Sequence, residues 1–494
     1  MGKVRARGSA IRGYKGASSG VIPWIKQLNN TAVSVDQLGQ RQGAIAIYLD
    51  IWHKDIESFL DLKLNNGDER LRAHDIFTGV CLPDIFMEAV EQRKDWYLFD
   101  PHEVLTVKGW SLEDFYDEND GSGAFRDKYM ECVDDNNITK VRVPAINLMK
   151  RIMKSQLETG TPFMFYRDEV NRQNANSHKG MIYSSNLCTE ITQNMSATVQ
   201  TEYTVDGLGK IVKSWDAGDF VVCNLSSVNL GKAVPANVLE RLIPIQVRML
   251  DNVIDLNNIP VKQAKITNEL YRAIGLGTFG WHHLLALKGI EWESNEAVEY
   301  ADKLYEEIAY LTIKASSDLA KEKGSYPHFE GSDWHNGKYF TKHGYDGNEK
   351  WDALKEIVAE QGMRNGYLMA VAPNGSTSVI AGSTASIDPV FKPIFNEEKK
   401  GYKLPVVAPD MSYKTYKYYE KQAHARDQFY SIKQNSKRAK HIDQGISFNL
   451  YVPNSITAKV LLQLHLEVWK AKIKTSYYVR STALEIKECE WCES

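Results

Sequence analysis

Five short stretches of this sequence carry side chains whose types and spacing could do chemistry. In SSNLCTEI (184–191), Asn186, Cys188 and Glu190 alternate. An extended segment would project all three from one face, bringing an amide, a thiol and a carboxylate together. Taken alone, the pattern reads first as a buried cysteine between two surface polar residues. In VVCNLSSVNLG (221–231), Cys223 follows Phe220, Val221 and Val222, so it is expected in a buried strand, where a free cysteine is a common packing residue. In APNGSTSVIAG (372–382), Gly375, Ser376 and Thr377 would offer backbone N–H groups and hydroxyls at a helix N-terminus. Such an end suits a phosphate, although ordinary N-caps have the same composition. In KTSYYVRS (474–481), Tyr477 and Tyr478 would point to opposite faces of a strand, or stack if the backbone bends. In ECEWCES (488–494), Cys489 and Cys492 form a C-x-x-C pair. Zinc would want a second ligand pair, and no other at suitable spacing is found. A dithiol that exchanges with other disulfides fits better.

The elements that must hold these groups alternate between strand and helix. GAIAIYLDIW (43–52) reads as a buried strand and HKDIESFLDLK (53–63) as an amphipathic helix. HDIFTGVCLP (74–83) reads as a strand, DIFMEAVEQR (84–93) as a helix, and 141–160 as a helix stopped by Gly160. PFMFYRDEV (162–170) and DFVVCNLSSVNL (219–230) read as strands, and 236–255 as a helix. This alternation predicts an α/β fold with a mainly parallel sheet or barrel. The polar, aromatic stretch from about 330 to 350 is expected to be a surface excursion, and 396–403 a charged turn or hairpin. The 494 residues are 43% hydrophobic and 25% charged, with a net charge of −3. That balance is globular, and it argues against a nucleic-acid surface spanning the chain. No apolar run of about 18 residues exists, so no membrane span is expected. Six cysteines in a chain this long do not make a disulfide scaffold. Cys81 and Cys132 are read as structural.

The order of the five motifs resembles the class I ribonucleotide reductase large subunit. N-L-C-T-E, a strand cysteine about 35 residues on, P-x-G-S-T, a Tyr-Tyr pair and a terminal cysteine pair succeed one another as in that family. RGSAIRGYKGASSGVIPW (7–24) looks like its specificity loop and the residues next to it. NNTAVSVDQLGQRQGAIAIYLDIWHKDIESFLDLK (29–63) looks like the adjoining stretch of that subunit, and YYVRSTALEIKECEWC is similar to the tail of tailed-phage members.

The resemblance implies an incomplete ten-stranded α/β barrel around a finger loop at about 184–191, completed by another chain. A specificity loop would span about 7–20, and 481–494 would be a flexible redox tail. Cys188 would become a thiyl radical and abstract the ribose 3′ hydrogen, because a weak S–H bond makes a reversible hydrogen-atom carrier. Glu190 would act as base on the 3′-hydroxyl, Asn186 would orient the ribose, and Leu187 would line the substrate. Cys223 would be one of two cysteines that supply the reducing electrons. Gly375, Ser376 and Thr377 would hold the diphosphate, and Arg12 would meet the base. Tyr477 and Tyr478 would relay the radical, Tyr477 nearer Cys188, and Cys489 and Cys492 would re-reduce the barrel disulfide. No cofactor is expected on this chain. The tyrosyl radical and di-iron centre would belong to a small subunit, and ATP and dNTP effectors mostly to an N-terminal large-subunit chain. That chain would also carry the partner of Cys223, since neither Cys81 nor Cys132 has a matching context. The beginning at Met1 is read as a gene split or a truncation. Thioredoxin or glutaredoxin would be the reductant, a nucleoside diphosphate the substrate, and the cytoplasm, that of a bacterial host for a phage protein, the location. A non-catalytic relic that binds the small subunit and a stand-alone dithiol oxidoreductase are the alternatives.

Overall fold

The apolar, β-branched run Ile45–Asp50 forms strand β1, and Ile76–Leu82 forms β2 beside it, parallel, with Ile45 opposite Ile76. The structure is a computed structural model that describes residues 1–35, 42–399 and 402–482, so Cys489 and Cys492 lie outside the described residues. The antiparallel pair Asp95–Phe99 (β3) and Lys140–Pro144 (β4) flanks this sheet, and Phe163–Tyr166 (β5) adds to β2, again parallel. A fourth strand, from the end of the chain, runs antiparallel on β5. The helices Asp84–Glu91 and Ala145–Thr159 cover one face with Phe86, Met87, Val90, Leu148, Met149 and Ile152, all buried. The second helix ends at Gly160, whose φ of 79° is the left-handed turn for which glycine is favoured. Gly79 is needed for a different reason: a Cβ there would lie 2.4 Å from the Tyr48 ring, which crosses β2 at this point.

After β5 the chain enters the helix Arg167–Arg172, then the finger, then an exposed hairpin of Val199–Val205 (β6) and Ile211–Asp216 (β7). A second parallel group comes next. Leu225–Asn229 (β8) pairs with Gly275–Phe279 (β9), and single parallel bridges extend it through Leu276–Met369 and Val371–Ile446. The helices Leu239–Leu256 and Asn295–Lys323 pack outside it. Ile394–Lys399 (β10) and Tyr402–Val407 (β11) form the antiparallel hairpin expected from the charged stretch there. Leu450–Val452 (β12) precedes the final segment. That segment gives Thr475–Ser476 (β13) to the first sheet, antiparallel to β5, and Val479–Ser481 (β14) to β12. Among the described residues no sheet closes on itself, which is what an incomplete barrel requires. No helix among them is long and apolar enough to cross a membrane.

Three local expectations are corrected. The region 330–350 is not a surface excursion: Trp334, Tyr339, Phe340 and Tyr345 are buried, Trp334 stacking on Tyr339 and Tyr345 on Trp351. Its polar residues misled because their aromatic neighbours carry the packing. The helix expected over 53–63 is confined to Ile56–Leu60. The strand expected over 219–230 begins only at Leu225, so the stretch around Cys223 is irregular.

Candidate active site

The finger is a turn rather than an extended strand. Thr189 has φ 71° and its N–H donates to the Asn186 carbonyl at 3.4 Å. A turn of this kind still gathers Asn186, Cys188 and Glu190, because it folds residues 186 and 190 back toward each other. The Asn186 amide hydrogen-bonds the Glu190 carboxylate, and its Nδ2 also lies 3.8 Å from Cys223 Sγ. Asn186 Oδ1 accepts from the Ile191 N–H and the Ser185 hydroxyl, which fixes the amide's orientation.

Four finger carbonyls are tied down by distant parts of the chain. Tyr48 Oη donates to the Asn186 carbonyl at 3.0 Å, the Ser447 hydroxyl donates to that of Cys188, Thr475 Oγ1 to that of Thr189 at 2.9 Å, and the Gly445 N–H to that of Glu190 at 2.7 Å. Gly445 must be glycine for this approach, since a Cβ would meet the Thr189 oxygen at 2.5 Å. Sequence reasoning missed Tyr48, Gly445, Ser447 and Thr475. For Ser447 a signal existed, a small hydroxyl inside the apolar run ISFNLYV.

Cys188 is only 6% exposed and packs with Phe163, Tyr477 and Tyr478, Leu187 lying against the same cluster. Tyr477 Oη is 3.5 Å from Cys188 Sγ. The two tyrosine rings are 4.3 Å apart, centre to centre, at 55°. They sit where the chain leaves β13 for β14, so the bend that permits contact is the switch from one sheet to the other. Burial pushes the Tyr477 phenol pKa well above its usual value, with Tyr478 and Cys188 adding to it. Burial also raises that of Glu190, against hydrogen bonds from Asn186, its own backbone and Ser447.

Cys223 is the main correction at the site. It is exposed rather than buried, beside the finger. Protein around it still pushes its thiol pKa up, with the Glu190 carboxylate contributing, but its open side keeps it reachable. Gly375, Ser376 and Thr377 begin the helix Gly375–Ile380 as expected; Ser376 is half-buried and Thr377 exposed. Behind them lies a cavity of about 640 Å³ lined by Gly375, Ser378, Ser383, Tyr451 and Arg480 among others. Arg12 occupies an exposed turn with φ 49°, and its side chain makes no hydrogen bond or ion pair among the described residues. Cys81 and Cys132 are buried, and burial pushes each thiol pKa to about 12. Among the described residues no three His, Cys, Asp or Glu side chains are grouped to hold a metal.

The family model for the ribonucleotide reductase barrel domain matches residues 1–479. The chain belongs to that family. It is 51% identical to the ribonucleoside-diphosphate reductase subunit alpha of Treponema pallidum, across 100% of this chain and 58% of that protein. Against the subunit alpha of Helicobacter pylori the identity is 39%, across 98% of this chain and 66% of the relative. Against that of Bacillus subtilis it is 31%, across 100% and 71%. This barrel-domain chain therefore spans about three-fifths to two-thirds of the length of the first two relatives. Within the barrel domain, the finger, Cys223 and the Tyr477–Tyr478 pair form one connected group, whereas the Arg12 side chain has no hydrogen bond to it among the described residues.

Proposed function

We propose that this chain is the catalytic part of a ribonucleoside-diphosphate reductase, reducing ribonucleotides to deoxyribonucleotides by thiyl-radical chemistry. The observation that carries the reading is the 3.5 Å approach of the Tyr477 phenol to the Cys188 thiol, on a finger that also carries Glu190 and Asn186. A phenol and a thiol at hydrogen-bond distance can exchange a hydrogen atom without either group moving. Cys188, as thiyl, takes the ribose 3′ hydrogen. Glu190 accepts the 3′-hydroxyl proton, the 2′-hydroxyl leaves as water, and two thiols, Cys223 being one, become a disulfide as the ribose carbon is reduced. The 3′ hydrogen then returns from Cys188, so the radical is conserved and the net change is two electrons and two protons. Asn186 orients the ribose, Leu187 lines it, and Gly375, Ser376 and Thr377 hold the diphosphate by backbone donors and the helix dipole. Arg12 reaches toward the base, and Tyr478 passes the radical on to Tyr477.

The oxidising equivalent belongs to a small subunit with a tyrosyl radical and di-iron centre, and ATP or dNTP effectors act mainly outside this chain. β1 and β8 are edges among the described residues, and edge strands with unpaired backbone groups invite strands from another polypeptide. We place an N-terminal large-subunit chain there, carrying the second barrel cysteine. Cys489 and Cys492 renew the thiols in exchange with thioredoxin or glutaredoxin, in the cytoplasm. The test is turnover of a nucleoside diphosphate by the chain joined to both partners. Cys188→Ser should leave assembly intact and abolish product. Appreciable turnover by that variant overturns the reading.

A further inference from the structure

Ser447 is fully buried, and its hydroxyl faces two acceptors at once, the Cys188 carbonyl and, at 3.1 Å, Glu190 Oε2. A serine hydroxyl has one proton. A carbonyl and an ionised carboxylate are both acceptors only, so Ser447 cannot satisfy both while Glu190 is charged. Once Glu190 is protonated the conflict disappears: its own O–H donates to Ser447 Oγ, and the Ser447 proton turns to the Cys188 carbonyl. We propose that Ser447 is a positioning residue that couples the protonation of Glu190 to the backbone of Cys188, so that proton uptake by the base tightens the finger under the thiol. This deepens the proposed reading by naming how its base and its radical carrier are linked.

The surroundings leave Glu190 as the group that titrates here. Asn186 and Ser447 are its neutral hydrogen-bond partners, on the finger and on the segment after Ile446. The titratable groups on other packed elements are Cys223 ahead of β8 and Tyr48 on β1, both pushed upward mainly by burial and therefore neutral when Glu190 changes state. Cys188 lies on the finger itself, and Tyr477, raised well above its usual range, lies beyond it. The buried charges Lys474 and Asp443 are engaged elsewhere: the ammonium donates to the Ile442 and Gln444 carbonyls, and the carboxylate accepts from the Leu368 and Met369 N–H groups. The same segment accepts the Tyr477 N–H at the Phe448 carbonyl, so a movement at Ser447 acts on thiol and phenol together.

The experiment has two readouts. In the isolated chain, the Glu190 carboxylate is followed by infrared pH titration, identified as the band lost in Glu190→Gln. Ser447→Ala removes a charge-assisted donor from the ionised carboxylate and only a weaker, neutral partner from the acid, so its midpoint should move upward, while Ser447→Thr, which keeps the hydroxyl, should stay near the parent. In the assembled reductase, Ser447→Ala should turn over about tenfold more slowly on the acid side of the pH profile and recover toward high pH, as loss of a hydrogen bond to a charged group implies. An unmoved midpoint in Ser447→Ala, or in Ser447→Cys where the alanine variant does not fold, overturns the coupling. A uniform loss of rate at all pH values overturns it too, leaving Ser447 a packing residue. A shifted midpoint in a chain that reduces no nucleotide leaves the coupling standing and sinks the reductase reading instead.

Discussion

The two sides of the finger are built differently. Toward the tyrosines everything is enclosed: Cys188, Glu190, Tyr477 and Tyr478 expose no more than 6% of their surface, and every finger carbonyl from Cys188 to Glu190 has a donor from residues 445–475. Toward Cys223 the protein is open. The difference matches what each side must do under the proposed chemistry. A group that holds an unpaired electron survives only where water and stray reductants are kept out and its partner is already in place. A thiol that meets a substrate and then a reductant must be reachable, even if that costs it a fixed position.

The sharpest way to break this comparison is at the enclosed side. Tyr477→Phe keeps the ring and its packing against Phe163, 4.8 Å centre to centre, but removes the phenol O–H at the Cys188 sulfur. The variant should melt like the parent and lose at least about a thousandfold of reductase turnover, roughly 4 kcal/mol at the transition state. Activity within a few fold of the parent would make the pair mere packing. Next in size is Gly445→Ala, whose methyl collides with backbone at Thr189. Overpacking of this kind costs about 1–3 kcal/mol, visible as a lower denaturation midpoint together with a loosened finger. Unchanged stability would mean that the finger is less firmly held than its carbonyl contacts suggest.

The open side is tested by thiol labelling, read cysteine by cysteine by mass spectrometry. Cys223 should alkylate at least about tenfold faster than Cys81 and Cys132 in the folded chain. Because its pKa is raised, the thiolate fraction is small at neutral pH, and labelling should accelerate as pH climbs. Equal protection of all three would erase the contrast between the two sides. The smallest effect belongs to Ser376→Ala and Thr377→Ala. Half-buried and exposed side chains at a helix start should cost less than about 0.5 kcal/mol of stability, while KM for the nucleoside diphosphate rises a few fold. A change in kcat alone would move these residues away from substrate binding.

The sequence made the family legible through the order of its motifs rather than through any one of them. Strands β1, β2 and β5 and the Gly160 stop came from periodicity and from glycine's freedom at positive φ. The finger was found by its residues and misjudged in its backbone, because alternation of polar side chains looks the same in a strand and in a turn when no partner strand is in view. Cys223 was misjudged for a related reason: Val221 and Val222 look like a buried strand, yet they are only half-buried beside an exposed hairpin. The donors at Tyr48, Gly445 and Thr475 could not be read at all, and Ser447 only as a small hydroxyl in an apolar run, since each acts through a contact more than a hundred residues away along the chain. Arg12 was assigned only through the resemblance, and nothing in its surroundings speaks to that role.

The switch of residues 475–481 from one sheet to the other also sets a clock. Tyr477 lies 289 residues after Cys188, and Thr475 lies 286 after Thr189. At about 5–20 residues per second, a ribosome needs roughly 15–60 s to travel that far. Throughout that interval the nascent finger carries its thiol without the phenol beside it and without the hydroxyls that tether its carbonyls. A polypeptide interrupted before residue 475 therefore holds the cysteine without the tyrosine that, under the proposed chemistry, would pass it the radical. Under that proposal, radical transfer is withheld from unfinished chains by the order of translation alone.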